Sequence, residues 1–301
     1  MKDRTRALDV RVATAPVNWN NEDLAGYRPF TPFAELLAQM KAAGYDWTEW
    51  GPGFPEDRDA VRAELGRAGL GLTGSFCAVA FHDSGAMGPG AARALERSRM
   101  LVDLGASTVL LSGAITPERS AWAGRADEPG APRLDASERR AMGRRIEELA
   151  LRIRELGLEV AFHHHVGTYV ETPQEVQALL ESTDPAAVGL CLDTGHLSYG
   201  GGDPVTLLKE HADRVNYVHL KDVDPDKLQR FRREGLSFPQ ALAGLIFPNL
   251  GQGMVDFDAC LSLLGAAGYR GVIVVEQDTC AGEPVDAARA NRAFLRERFG
   301  I

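Results

Sequence analysis

Cysteine is scarce: four residues, Cys77, Cys191, Cys260 and Cys280, are scattered over 301 positions with no CxxC spacing. That argues against a disulfide framework and fits buried thiols in a reducing compartment, so the expected location is cytoplasmic. No run approaches the roughly 18 consecutive apolar residues of a membrane-spanning helix. The opening stretch MKDRTRALDV is charged and lacks the apolar core of a signal peptide. Positive charge is not in excess either, with 33 Lys and Arg against 42 Asp and Glu for a formal net charge of −9. Broad binding to nucleic acid or to an anionic membrane surface is therefore not expected, although a local basic groove is compatible with the total. No GxGxxG turn follows the first strand-like run, which weakens a dinucleotide-binding reading.

What the chain does have is regular alternation. Short β-rich runs lie at 11–16, 45–51, 71–79, 106–114, 158–165, 188–196, 215–222 and 271–278. Amphipathic helical sequence separates nearly all of them, as βα units in a parallel sheet require. In 31–44, Phe33, Leu36, Leu37 and Met40 form the i, i+3, i+4, i+7 stripe of a helix packed on a sheet. Thr31 is the expected N-cap there, Pro32 the first helical position and Gly44 the stop. Helices are also expected over 137–157, 257–271 and 286–300. Eight such units predict an α/β fold of the (β/α)8 TIM-barrel type, one domain over 1–301, since such a barrel uses about 250 residues as a unit.

Two connections, 116–137 after strand four and 223–257 after strand seven, are too long and irregular for simple turns. Both follow strand C-termini, the face on which such barrels carry their active sites. GGGDP at 200–204 reads as a flexible loop on the same face.

The strand ends carry the chemistry. Strand two offers Glu49, set between two tryptophans. Strand five offers His163, His164 and His165, strand six Asp193 and His196, strand seven His219, Lys221 and Asp222, and strand eight Glu276 and Asp278. A single acidic residue at a strand end is ordinarily just solvated. Several ends bearing imidazole or carboxylate at one barrel mouth point to a divalent cation, and the mixed donor set suits Mn²⁺, Co²⁺, Fe²⁺ or Zn²⁺ better than Ca²⁺ or Mg²⁺. Side chains alternate along a strand, so His163 and His165 share the inner face while His164 packs toward the helices. His165, nearest the mouth, is the expected ligand from strand five, with His163 deeper. Asp193 is the expected ligand with His196 facing substrate, the reverse assignment being the alternative. Lys221 is a cation placed to stabilise an enolate or donate a proton, with Asp222 able to orient it. Glu276 is preferred over Asp278 as a ligand because two valines lead directly into it. After strand one, Asn18, Trp19 and Asn20 read as hydrogen-bonding amides around an aromatic ring, a grip for a polyol.

The set TAPVNW, TEWG, FHHHVGTYVET, CLDTGH, VHLKDV and VVEQD resembles the xylose-isomerase-like TIM-barrel superfamily, and within it the branch of inosose dehydratases. The likeness runs from about residue 10 to residue 280. It implies a metal held by Asp193, His219 and Glu276 with a fourth ligand from strand five. Many members of the superfamily place a glutamate at that fourth position, where this chain has histidines. That departure counts against sugar isomerases and epimerases, which use a pair of metal-bound glutamates. The resemblance implies a hydro-lyase removing water from a cyclic keto-polyol such as 2-keto-myo-inositol, with Mn or Co as cofactor and Zn or Fe as alternatives. His196 or Glu276 would take the α-proton, and Lys221 or His163 would protonate the departing hydroxyl. Asn18, Trp19, Glu49, His163, His196 and Lys221 would contact the substrate. The rival readings are a keto-polyol isomerase or epimerase on the same scaffold, an apurinic-site endonuclease and a non-catalytic sugar-binding barrel. A small molecule is the expected partner, with no nucleic acid or membrane. The loops after strands one and seven could join copies of the chain in a homo-oligomer.

Overall fold

A computed structural model describes residues 8–301. The reading of the charged N-terminal stretch falls largely on residues 1–7, outside the described ones. Eight strands form where the β-rich runs predict them: β1 Arg11–Thr14, β2 Trp47–Trp50, β3 Gly71–Val79, β4 Thr108–Gly113, β5 Glu159–His163, β6 Gly189–Asp193, β7 Val215–Leu220 and β8 Val272–Val275. They pair in parallel in chain order. β8 closes onto β1 through Arg11↔Val272 to Thr14↔Val275, which makes a single closed (β/α)8 barrel. Among the described residues no helix is long and apolar enough to cross a membrane.

Alternation along each strand sorts the side chains into two layers. Leu72, Val109, Leu111, Val160, Phe162, Leu190, Leu192, Val218, Leu220, Ile273 and Val275 face outward and pack under the helices. Ala13, Leu110, Ala161, Cys191, Tyr217, Val272 and Val274 fill the barrel's interior. The small alanines leave room inside for Tyr217, whose hydroxyl donates to Thr73 Oγ1 at 2.8 Å.

Helix boundaries follow local capping chemistry. Phe33–Ala42 starts one residue later than its sequence suggests, with Pro32 rather than Thr31 at the cap and no side-chain cap bond. The Thr31 backbone is engaged elsewhere: its N–H donates to Asn20 Oδ1 and its carbonyl accepts from Asn20 Nδ2. Asn20 is thus a loop brace rather than part of a polyol grip. Ala136–Arg154 opens on an Asp135–Glu138 capping box, in which each side chain satisfies the other's backbone N–H.

The long connections are built rather than irregular. The segment after β7 contains helices Pro225–Glu234 and Phe238–Ala243. Phe231, Phe238, Leu242, Ile246 and Phe247 bury together there with Val166 and Tyr199 as a satellite core. Asp222 fastens its return. Its carboxylate accepts the backbone N–H groups of Val223, Gly251, Gly253 and Val255 at 2.8–3.1 Å. Asp222 therefore points away from Lys221 and does not orient it. Asp222→Ala would strand four buried or half-buried donors, and is expected to cost about 2–4 kcal/mol, read as a lower urea midpoint at unchanged slope. The GGGDP stretch is a tight turn between helices Thr194–Tyr199 and Pro204–His211, with the Gly202 N–H donating to Leu197 O at 2.8 Å.

Candidate metal centre and catalytic cavity

The barrel's C-terminal mouth gathers the strand-end residues. His163 ends β5 and Asp193 ends β6, His219 is next to last in β7, and Glu276 follows β8 directly. Asp193 lies in register with His219 across β6 and β7. One ligand atom from each of His163, Asp193, His219 and Glu276 lies within 4.8 Å of the others, and all four residues are buried. His163 Nε2 is 3.4 Å from Asp193 Oδ2, and His219 Nδ1 is 3.3 Å from Glu276 Oε2. The far nitrogen of His219, Nε2, donates to Glu49 Oε1 at 2.8 Å. That bond fixes the tautomer and leaves the Nδ1 lone pair facing the cluster, as an oriented metal-binding histidine requires.

The set fits a divalent cation. His163 Nδ1, Asp193 Oδ2 and His219 Nδ1 are buried without hydrogen-bond partners, a costly state unless an ion satisfies some of them. Burial alone would raise the Asp193 and Glu276 carboxyls. Lys221 and His196 beside Asp193, and His219 and Lys221 beside Glu276, instead hold both well below the usual carboxylate range. Two carboxylates with two imidazoles suit Mn, Fe, Co or Zn.

The cluster takes His163 from strand five, where the sequence pointed to His165. Both face inward, but His165 lies beyond the strand, higher in the mouth. Its Nδ1 is 2.7 Å from the Val166 carbonyl, which can only accept. Nδ1 therefore carries the proton and Nε2 keeps its lone pair. Burial pushes His165 down to about 4, so the ring is neutral near pH 7. His164 faces outward as expected, and its Nε2 accepts the Asp193 backbone N–H at 3.3 Å.

A cavity of about 620 Å³ opens over the cluster, walled by Glu49, Phe76, His163, His165, Lys221 and Glu276 among others. Several sequence expectations change here. His196 does not line the cavity; its ring packs, tilted, behind His165 at 3.8 Å between ring centroids, and its Nε2 lies 3.1 Å from Lys221 Nζ. Trp19 is fully buried in the outer core, its indole N–H donating to Gln39 Oε1 at 2.8 Å. Asn18 is consumed by the β1–β8 seam: its amide donates to Thr14 Oγ1 and Val275 O, and its carbonyl accepts from the Gln277 N–H. Neither Trp19 nor Asn18 can grip a substrate. Glu49 does reach the cavity, with one oxygen committed to His219.

Lys221 is fully buried. Its Nζ lies 2.7 Å from Asp278 Oδ1, 3.0 Å from Glu276 Oε2 and 3.6 Å from Asp193 Oδ2. Asp278 is the residue that sequence reasoning undervalued, noting it only as the same-face companion of Glu276. Burial pushes its carboxyl up to about 7, against the pull of Lys221. The signal that could have found it was that shared face two residues along from Glu276.

The loops after β4 and β5 meet at Glu171. Its two oxygens accept the N–H groups of Gly124 at 2.7 Å and Gly167 at 2.8 Å, and burial pushes it up to about 7. Beside it, Arg119 forms a two-pronged bond to Glu175 at 2.8–2.9 Å.

Fold and site together define a (β/α)8 barrel with a four-residue metal-type centre at its mouth. The family described as xylose isomerase-like TIM barrel matches residues 37–298. The chain belongs to that family. It is 36% identical over 294 residues to the rhizopine catabolism protein MocC of Rhizobium meliloti, covering 97% of this chain and 89% of the relative. It is 34% identical to the inosose dehydratase of Geobacillus kaustophilus (strain HTA426), covering 95% and 93%. Among solved structures it superposes on the probable 3-DHS dehydratase AsbF of Bacillus anthracis with a TM-score of 0.72 at 14% identity, covering 96% of this chain and 100% of the other. It superposes on the IOLI protein, solved with a zinc atom, with a TM-score of 0.69 at 16% identity, covering 96% and 99%. At those identities the superpositions speak to the fold.

Proposed function

We propose that the protein is a metal-dependent hydro-lyase that removes water from a cyclic keto-polyol of the inosose type. The observation that carries this reading is the pairing, in one cavity, of a neutral imidazole with a free Nε2 on His165 and a buried ammonium on Lys221, beside the four-residue centre. The relatives named inosose dehydratase support the substrate class. His163, Asp193, His219 and Glu276 would hold the metal, which when bound supplies Lewis-acid polarisation of the ketone.

The remaining work falls to the chain. His165 Nε2 takes the proton from the carbon next to the ketone, and the freed electron pair forms a carbon–carbon double bond. The carbon–oxygen bond one position further breaks as Lys221 Nζ protonates the hydroxyl, which leaves as water. Asp278, poised near neutrality, returns a proton to Lys221 from solvent. The balance is one keto-polyol to one water and one enol, which tautomerises to a dione. His196 positions Lys221 by packing against its Nζ at 3.1 Å, in place of the base role its sequence suggested. A histidine on strand five, where epimerases carry a second metal-bound glutamate, also favours elimination over isomerisation.

The test is an assay of metal-stripped protein with 2-keto-myo-inositol, following dione absorbance as Mn²⁺ or Co²⁺ is restored. Metal-dependent dione formation is expected. Tight metal binding without dione from this substrate would overturn the inosose reading.

A further inference from the structure

We propose that the barrel holds a second, deeper metal position formed by His163, Cys191 and His219, which takes thiophilic cations such as Cd²⁺ and Zn²⁺ and excludes the upper site from use. Ligand atoms of these three residues lie within 4.8 Å of one another, and all three residues are buried. Cys191 is paired with His163 across β6 and β5 and sits on the same strand face as Asp193, one layer below it. Its neighbours there are the interior residues Ala161, Tyr217 and Val274.

One further observation points to an ion at this level. His163 has its Nε2 toward Asp193, while its Nδ1 is buried with no partner, although the ring is only 2% exposed. His219 Nδ1 faces Glu276 Oε2 at 3.3 Å, so the lower position would share it with the upper centre. The upper set offers two oxygens and two nitrogens; the lower offers one sulfur and two nitrogens. Thiolate is a soft ligand that selects zinc-like and cadmium-like ions, whereas carboxylates serve Mn²⁺ well. Because both positions draw on His163 and His219, filling one withdraws two ligands from the other. Cys191 does not line the cavity, so an ion on it lies beneath the floor and out of reach of substrate. On binding, the thiol proton leaves to solvent as the metal–sulfur bond forms.

This inference does not depend on which substrate the cavity takes. The test titrates the metal-stripped full-length protein with one equivalent of Cd²⁺ and records the ultraviolet thiolate-to-cadmium charge-transfer band. Cys191→Ser and Cys191→Ala are run beside it, and circular dichroism confirms folding of each. The expected result is a band present in the parent protein and absent from both variants, with Cd²⁺ affinity lowered at least about tenfold. Mn²⁺ binding, followed by electron paramagnetic resonance, should remain in both variants, and displacing it should take at least about tenfold more Cd²⁺ there than in the parent. An unchanged band in whichever variant folds, or Cd²⁺ bound without any band, would overturn the proposal.

Discussion

Replacing Lys221 with methionine is expected to lower turnover by about 10²–10⁴-fold, the range for loss of a positioned acid, and to destabilise the fold at the same time. The ammonium lies within 3.6 Å of three buried carboxylates, Asp193, Glu276 and Asp278. Removing it leaves their charge uncompensated, and breaking a buried pair in this way costs about 3–5 kcal/mol. Lys221→Arg separates the two effects. Arginine keeps the charge but does not give up its proton near neutral pH, so stability should largely return in that variant while turnover does not. Urea midpoints and kcat on metal-loaded protein read the two quantities independently. Wild-type turnover in a folded Lys221→Met protein would remove this residue from the mechanism.

His219→Ala should be the most damaging change to metal binding. It deletes one of four ligands and also leaves Glu49 without its 2.8 Å donor inside the barrel. Affinity for Mn²⁺ or Co²⁺ is expected to fall well beyond the 10–100-fold typical of changing only a group that orients a ligand. Glu49→Gln, which keeps shape but weakens the hold on the imidazole, should fall within that range. Calorimetric titration of the metal-stripped proteins ranks the two. A His219→Ala protein that binds metal and turns over like the parent would show that the centre is elsewhere.

The barrel was legible because each strand is short, apolar and followed by helical sequence, and those local patterns set the topology without reference to distant residues. The members of the candidate centre were legible for the same reason: Asp193, His219 and Glu276 each sit at a strand's end. What one strand's alternation does not contain is depth. His163 and His165 share a face, so period two cannot choose between them; the choice comes from where Asp193 and His219 lie on neighbouring strands. Residues after strands were harder still. Asn18 is decided by Val275 and Gln277, more than 250 positions away. Asp222 is decided by the returning segment 251–255. Lys221 and Asp222 are adjacent in sequence yet serve opposite sides of the wall, one the cavity and the other the loop behind it.

The two oxygens of Glu171 bear on anyone who would exchange parts between barrels of this kind. Gly124 and Gly167 both adopt positive φ, 71° and 81°, and each presents its N–H to one of those oxygens. A β-carbon would be strained at either position. The segments after β4 and β5 are therefore one module in three pieces. A graft that carries the Gly124 segment without its matching carboxyl would bring a loop with no anchor, and one that carries Glu171 alone would bury an acid with no donors. Chimeras cut between residues 124 and 171 should fail as a class, while those that move 114–172 intact keep the joint and the His165 tautomer that lies within it.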